Sequence, residues 1–387
     1  MARVSRTDRA RLPEIVLADF FSGCGGTAQG FASAGVRPVF ATDWDEEAVQ
    51  TLKLNFPTVD AVQRDIRELE TDEVVSVMPP TEEAVRLLAG CAPCQPFAGH
   101  RNAATQQDER SELVLELLRF IEALRPQLVF VENVPGMRRA SKSNGPLTEF
   151  VEELKKTHHV ALDTISCADY GVPQTRRRLV LIASSFDLGE IELPGPTHGP
   201  TTDQPHKTVR DAIYSLPQDV EGPDAAKFSS HMAMRLSALN RKRIEATSEG
   251  GDRREWPKHL WPSCHGGGFG GHTDVYGRLS WDKPAPTLTT KCVSYSNGRF
   301  GHPSEHRALT AREAARLQTF PDSFQFFGGL TSQARQIGNA VPVVLAQRFG
   351  EHFVKHVSEA DRAPNIGSSD PLSASDGNRV VGTRTAA

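Results

Sequence analysis

Two cysteines stand three apart in Gly90-Cys91-Ala92-Pro93-Cys94-Gln95-Pro96-Phe97. The apolar run Val85 to Ala89 leads into this stretch, and the polar loop Gly99 to Asp108 follows it. That order reads as a buried strand opening into a loop, and strand ends in open α/β sheets are where chemistry collects. Pro93 fixes the approach of Cys94, while Pro96 keeps the loop from continuing into a regular element. A thiol held in advance is suited to nucleophilic attack. Cys91 and Cys94 also form a CxxC, so a redox pair, half a metal site or a buried structural thiol are the alternatives. A second CxxC is missing, and Cys264-His265 is a lone adjacent pair, so no metal is expected. Pro93 and Pro96 oppose the helix that a thioredoxin-like pair requires.

Further candidates lie on both sides of this loop. Ile15 to Phe21 has a buried-strand pattern and runs into Ser22-Gly23-Cys24-Gly25-Gly26-Thr27, then a helical stretch. Strand, glycine-rich turn and helix form a nucleotide-type cradle, where glycines let a ligand approach the backbone; a mere tight turn is the alternative. Pro38 to Ala41 reads as a second strand ending in Thr42-Asp43-Trp44 before a helix through Leu54. An acid about 20 residues beyond the glycines is placed to grip a ribose diol, and Trp44 to lie against an adenine ring. Asp65 and Ile66 repeat the arrangement after another short segment. Leu128 to Val131 delivers Glu132-Asn133-Val134 at a strand tip, where a carboxylate is either functional or a simple cap. Gln174-Thr175-Arg176-Arg177-Arg178 precedes the apolar Leu179 to Ala183, and alternation puts Arg176 and Arg178 on one side of a strand edge. A basic edge that discourages aggregation is the plainer reading.

These residues need a scaffold, and the chain has the size for one. At 387 residues, 38% hydrophobic and 24% charged, it is an ordinary globular composition with room for two domains, or for one domain with a large insertion. No apolar run approaches the ~20 residues of a membrane span. The basic start, Met1 to Arg11, lacks a following apolar signal region, and six scattered cysteines suit a reducing compartment, so a cytoplasmic protein is expected. Net charge is −4, yet Lys227 to Arg307 holds thirteen Lys and Arg against seven Asp and Glu, with six histidines besides. That segment is either a phosphate-binding face or a solvated basic surface. Ser111 to Leu124 is expected to be a helix capped by Ser111 and stopped by Pro126; Leu147 to Thr157 is a second amphipathic helix, and Val160 to Ser166 a strand. After Leu193 the strand–helix rhythm stops until about Thr310. Ser263 to His272 is a glycine-dense loop, either a close-contact segment or a linker, and Pro284 to Thr290 reads as a strand entered from a rigid turn. Thr310 with Glu313 forms a capping box for a helix through Thr319. Pro342 opens an apolar helix ending near Val357. No internal repeats are present.

Taken together and in order, these stretches resemble the DNA (cytosine-5)-methyltransferase family of the bacterial restriction-modification type. The matching segments are Asp19 to Gly26, Thr42-Asp43-Trp44, Asp65-Ile66, Pro93-Cys94-Gln95, Glu132-Asn133-Val134, Gln174 to Arg178, Arg307 to Pro321 and Gln336-Ile337-Gly338-Asn339. Ala98 stands where the family commonly has Ser, and residues 195–275 follow no general pattern, as befits a part that reads sequence. The resemblance implies an α/β fold: a doubly wound, Rossmann-like sheet binding S-adenosyl-L-methionine (SAM), with a smaller target-recognition domain. It implies a basic extension over 1–13, a catalytic domain over 14–190 plus 330–358, a recognition domain over 191–329 and a disordered tail over 359–387. Cys94, Glu132, Arg176 and Arg178 are the implied catalytic set, Arg176 and Arg178 bracing the base and Glu132. Phe21, Gly23, Gly25, Gly26, Asp43, Trp44, Asp65, Ile66 and Asn339 are the implied cofactor set; Pro93, Gln95, Asn133 and Gln174 position the substrate. The implied partner is double-stranded DNA, with a cognate restriction endonuclease acting on the same site, and a monomeric enzyme in the bacterial cytoplasm or nucleoid. An RNA cytosine-5 methyltransferase and a catalytically silent DNA-binding protein on the same scaffold are the alternatives.

Overall fold

The computed structural model describes residues 13–93, 112–140, 145–262 and 275–362. Cys94, Gln95, Ala98, Ser111, the glycine-dense loop after Pro262 and both chain ends therefore lie outside the described residues. One seven-stranded sheet is seen: β1 (Glu14–Phe20), β2 (Arg37–Asp43), β3 (Asp60–Gln63), β4 (Ala84–Gly90), β5 (Leu128–Asn133), β6 (His158–Ser166) and β7 (Arg177–Ser185). Their order is β3-β2-β1-β4-β5-β7-β6. β1 pairs in parallel with both β2 and β4, and β4 with β5. β7 runs antiparallel between β5 and β6. The chain winds outward from β1 to β3, returns, and winds the other way from β4. The switch point therefore falls between β1 and β4, where such sheets bind ligands.

The helices are α1 (Gly26–Ser33), α2 (Glu46–Asn55), α3 (Thr71–Val77), α4 (Glu116–Leu124), α5 (Gly136–Ala140), α6 (Pro146–Leu154), α7 (Val209–Ile213), α8 (Ala238–Glu245), α9 (Ala311–Leu317), α10 (Leu330–Asn339) and α11 (Val343–Arg362). Strand alternation decides which face each one covers. Val16, Ala18 and Phe20 turn toward Leu117, Phe120, Phe150 and Leu154 of α4 and α6. Ile15 and Leu17 turn the other way, toward Phe31 of α1 and Phe349 and Phe353 of α11. The last helix thus packs on the first. Gly30 makes this possible, since a Cβ there would collide with the Val343 carbonyl. Burying each of these phenylalanines is worth about 2 kcal/mol, so α11 contributes a large share of one face.

Most expected elements form, with boundaries shifted by a few residues. The first helix beyond the Cys94 loop starts at Glu116, and its last turn closes on Arg125 with φ 46°, just before Pro126. The capping box at Thr310 and Glu313 is present: each side chain accepts from the other's backbone N–H. The terminal helix runs past Val357 to Arg362. The expected strand from Pro284 to Thr290 does not form. One parallel bridge, Gln174 to Ala285, is all that is made. Pro284 and Pro286 have no N–H on either side of Ala285, so the ladder has one rung and stops. Beyond β7 the described residues hold short helices and turns. A core of Val209, Ile213, Leu279, Trp281, Leu288, Phe300 and Leu317 runs on to Ile337 and reaches Cys24 in the glycine turn. A smaller core gathers Ile244, Trp256, Leu260, Tyr295 and Ala308.

Candidate active site at the carboxyl edge of the sheet

The turn after β1 is the first wall. Phe21 and Gly23 both have positive φ, 54° and 52°, and a Cβ on Gly23 would meet nothing within 4 Å, so the turn is open to a ligand. Gly25 is the residue before the first turn of α1. Gly26 is pressed instead: a Cβ there would lie 2.6 Å from the Val341 carbonyl. The Gly23 N–H donates to Asp43 Oδ2 at 2.8 Å, and the Asp45 N–H donates to Asp43 Oδ1 at 2.9 Å. Burial pushes the Asp43 carboxyl above the usual carboxylate range, and these amides oppose it. Trp44 follows with its ring 74% exposed. Asp65 ends the next strand–turn unit; it caps the turn Ile66–Glu68 and is held below its usual pKa chiefly by the Arg67 hydrogen bond. Ile66 is buried and Asn339 is exposed at the end of α10.

One residue of this wall gave no separate signal in the sequence. Asp19 sits on the apolar face of β1 toward α1, fully buried, and neither carboxyl oxygen has a hydrogen-bond partner among the described residues. Burial drives its pKa well above normal and Asp43 adds to the rise; the Ala28 amide offsets part of it from outside good hydrogen-bond geometry. An acid inside an apolar strand is the clue that could have marked it. An open glycine turn, an exposed indole and an unpartnered buried carboxyl fit a cofactor with an adenosine and an ammonium group.

The second wall is built at the tips of β4, β5 and β7. Asn133 Nδ2 donates to the Ala92 carbonyl at 3.0 Å, which ties the tip of β5 to the residue before Pro93. Pro93 itself is exposed. Glu132 is 7% exposed, and Arg178 Nε lies 2.7 Å from its Oε1. The register explains the pairing. Glu132 stands opposite Val180 across the β5–β7 ladder, so Arg178 is its diagonal neighbour. The contact is an ion pair off the hydrogen-bond axis, since Oε1 has no aligned donor among the described residues. Cys91, beside this pair, is held well above the normal thiol range by burial, then by Glu132 and Asp19; its Sγ lies 3.9 Å from Thr27 Oγ1.

Arg176 and Gln174 reach across to segments beyond β7. Arg176 is 2% exposed, and its terminal nitrogens donate to the carbonyls of Leu288, Gly338 and Ala340. Arg178 pairs with Glu132, and Arg176 ties the start of β7 to the end of α10. Gln174 is fully buried; its amide donates to the Leu317 carbonyl and Gln318 and accepts from the Leu288 N–H. It fixes the segment beside the site.

The profile of the C-5 cytosine-specific DNA methylase family matches residues 15–355. The chain belongs to that family. Among curated relatives, a Type II methylase, M.HgiDII of Herpetosiphon aurantiacus, is 38% identical over 353 residues, covering 89% of this chain and 97% of the relative. A Type II methyltransferase, M1.HphI of Haemophilus parahaemolyticus, is 33% identical over 341 residues, covering 87% and 86%. Among solved structures, a putative DNA modification methyltransferase encoded within an E. coli prophage superposes with a TM-score of 0.69 at 24% identity, over 89% of this chain and 99% of that one. The Dnmt2 methyltransferase of S. pombe superposes with a TM-score of 0.59 at 20% identity, over 88% and 98%. These two likenesses are of fold. The methylase sheet is the SAM-dependent, Rossmann-like one that the sequence implied, and the protein is a DNA cytosine-5 methyltransferase. No described helix of the methylase is long and apolar enough to cross a membrane.

Proposed function

We propose that this methyltransferase acts on cytosine flipped out of a specific double-stranded DNA site, through a covalent bond from Cys94 to C6, as the modification enzyme of a restriction-modification pair. The observation that carries the reading is the buried Glu132–Arg178 pair beside the Asn133–Ala92 hydrogen bond, made two residues before Cys94 in the chain. C5 of cytosine is a poor nucleophile. Addition of the Cys94 thiolate to C6 forms the S–C6 bond and moves the C5–C6 π electrons into an enamine that attacks through C5. Glu132 holds the N3/N4 edge of the ring, with Arg178 fixing the carboxylate. Loss of the C5 proton then returns the electron pair, and the S–C6 bond breaks. The target C6 is inaccessible in a stacked duplex, so flipping, at a few kcal/mol, precedes these steps. Bound SAM supplies the electrophilic methyl group. Phe21, Gly23, Gly25, Gly26, Asp43, Trp44, Asp65, Ile66 and Asn339 hold it. Residues 191–329, with the basic stretch Lys227 to Arg307, form the recognition unit. The enzyme works as a cytoplasmic monomer.

A fluorine at C5 cannot leave as a proton does. Duplex DNA carrying 5-fluorocytosine at the target is therefore expected to remain bound to the protein through denaturation, with SAM present. The adduct should vanish with Cys94→Ala, persist with Cys91→Ala and form more slowly with Glu132→Gln. No adduct from a pool of fluorinated duplexes covering all short sites would overturn the covalent mechanism. Trapping of fluorinated RNA instead would move the substrate to RNA.

A further inference from the structure

Arg335 projects from α10 onto the start of α2, at residues nearly three hundred positions earlier. Its Nε donates to Asp45 Oδ2 at 2.9 Å, and its Nη2 to Asp45 Oδ1 at 3.2 Å and Glu47 Oε2 at 3.0 Å. Glu47 is also gripped by Ser332 of the same helix, a hydrogen bond that lowers its pKa ahead of the Arg335 contribution. Asp45 is the cap of α2, its Oδ1 accepting from the Glu47 and Ala48 amides. The Asp45 amide in turn donates to Asp43, which holds the Gly23 amide. An unbroken run of polar contacts thus leads from α10 through Asp45 and Asp43 to the glycine turn. Trp44 lies between the two fixed carboxylates, with 74% of its surface exposed.

We infer that Arg335 is a positioning residue for the cofactor: it fixes the Asp43–Trp44–Asp45 turn from outside, and so couples the last part of the chain to SAM affinity. The inference rests on the cofactor reading above. Arg335 is 40% exposed, and an ion pair that wet adds little to global stability, so its value lies in geometry. A planar guanidinium gripping one carboxylate through two nitrogens sets the orientation of that carboxylate as well as its distance. Because Asp45 also caps α2, rotating it moves the backbone on both sides of Trp44.

Calorimetric titration of the demethylated cofactor, S-adenosylhomocysteine, into the full-length protein tests this. Arg335→Gln is expected to weaken binding roughly tenfold, the order lost when a supporting contact is removed from a positioned site. In turnover the same variant should raise KM for SAM and leave kcat and KM for DNA near wild type. Arg335→Lys, which keeps a charge on Asp45 but loses the two-nitrogen grip, should recover only a minor part of the affinity. Should Arg335→Gln fail to fold, Asp45→Asn is read by the same criterion, since it keeps the cap and removes the charge that Arg335 grips. Asp43→Ala is measured alongside. Wild-type affinity in Arg335→Gln or Asp45→Asn, with Asp43→Ala impaired, overturns the positioning role alone. Wild-type affinity in Asp43→Ala overturns the cofactor reading on which it rests.

Discussion

Removing Arg178 while Glu132 stays leaves a carboxylate in a site 7% exposed with its cation gone. Stranding one member of a buried pair costs about 3–5 kcal/mol, whereas removing both members together is far milder. Arg178→Gln should therefore lower the urea midpoint substantially, and Arg178→Gln with Glu132→Gln should restore most of it. Methyl transfer should fall in both, because the single variant leaves Glu132 without the cation that fixes it and the double variant removes the carboxylate as well. Recovery of activity along with stability would show that the pair is structural. At this scale the sequence was informative where chemistry and chain position coincide. Glu132 and Arg178 were legible because each stands at a strand tip in a recognisable order. The separate fates of Arg176 and Arg178 were not, because Arg176 finds its acceptors on carbonyls 112 and 162 or more positions away. Asp45 and Arg335 left no trace for the same reason.

Among the elements beyond β7, α9 carries a buried acid beside a buried histidine. Its Glu313 is fully buried, accepts from Arg307 through both oxygens, and lies 3.7 Å from His302 Nε2. His302 Nδ1 accepts from the Ser304 and Glu305 amides, so that nitrogen is committed. Burial lowers the His302 pKa from 6.5 to about 4, with the Glu313 charge opposing the shift. The unfolded chain thus takes up a proton that the fold refuses. The stability held above pH 6.5 is lost as pH falls toward 4, by an amount on the order of a few kcal/mol. His302→Gln removes that titration, and its melting temperature should fall less than wild type between pH 6.5 and 4.5. Parallel curves over that window would count against it. The capping box that starts α9 was legible, being local. The expected strand at Pro284 was wrong because its apolar and threonine pattern outweighed two prolines that bar the ladder.

For the whole molecule, β1, β2, β5 and β7 were readable as strands because each holds a run of consecutive buried apolar residues, as burial on both faces requires, while the doubly wound order was implied by the family resemblance. The pairing of α11 with α1 was not, since neither helix carries a mark that names its partner. That pairing, with Cys24 Sγ against the Gln336 carbonyl 312 positions away, brings the two ends of the described chain into one wall. Synthesis sets the timing. Residues enter the growing chain at about 5–20 per second, so roughly 15–60 seconds separate the glycine turn from the helix that completes it. Until then the ribosome carries a chain whose sheet lacks α11 on one face and whose cofactor wall is half built. Chains stalled before Leu330 should not be retained on immobilised S-adenosylhomocysteine, and chains stalled well after Arg362 should be. A cell that has just acquired this gene therefore gains modification all at once with each finished molecule, and a premature stop upstream of α10 yields silence in place of a weaker enzyme.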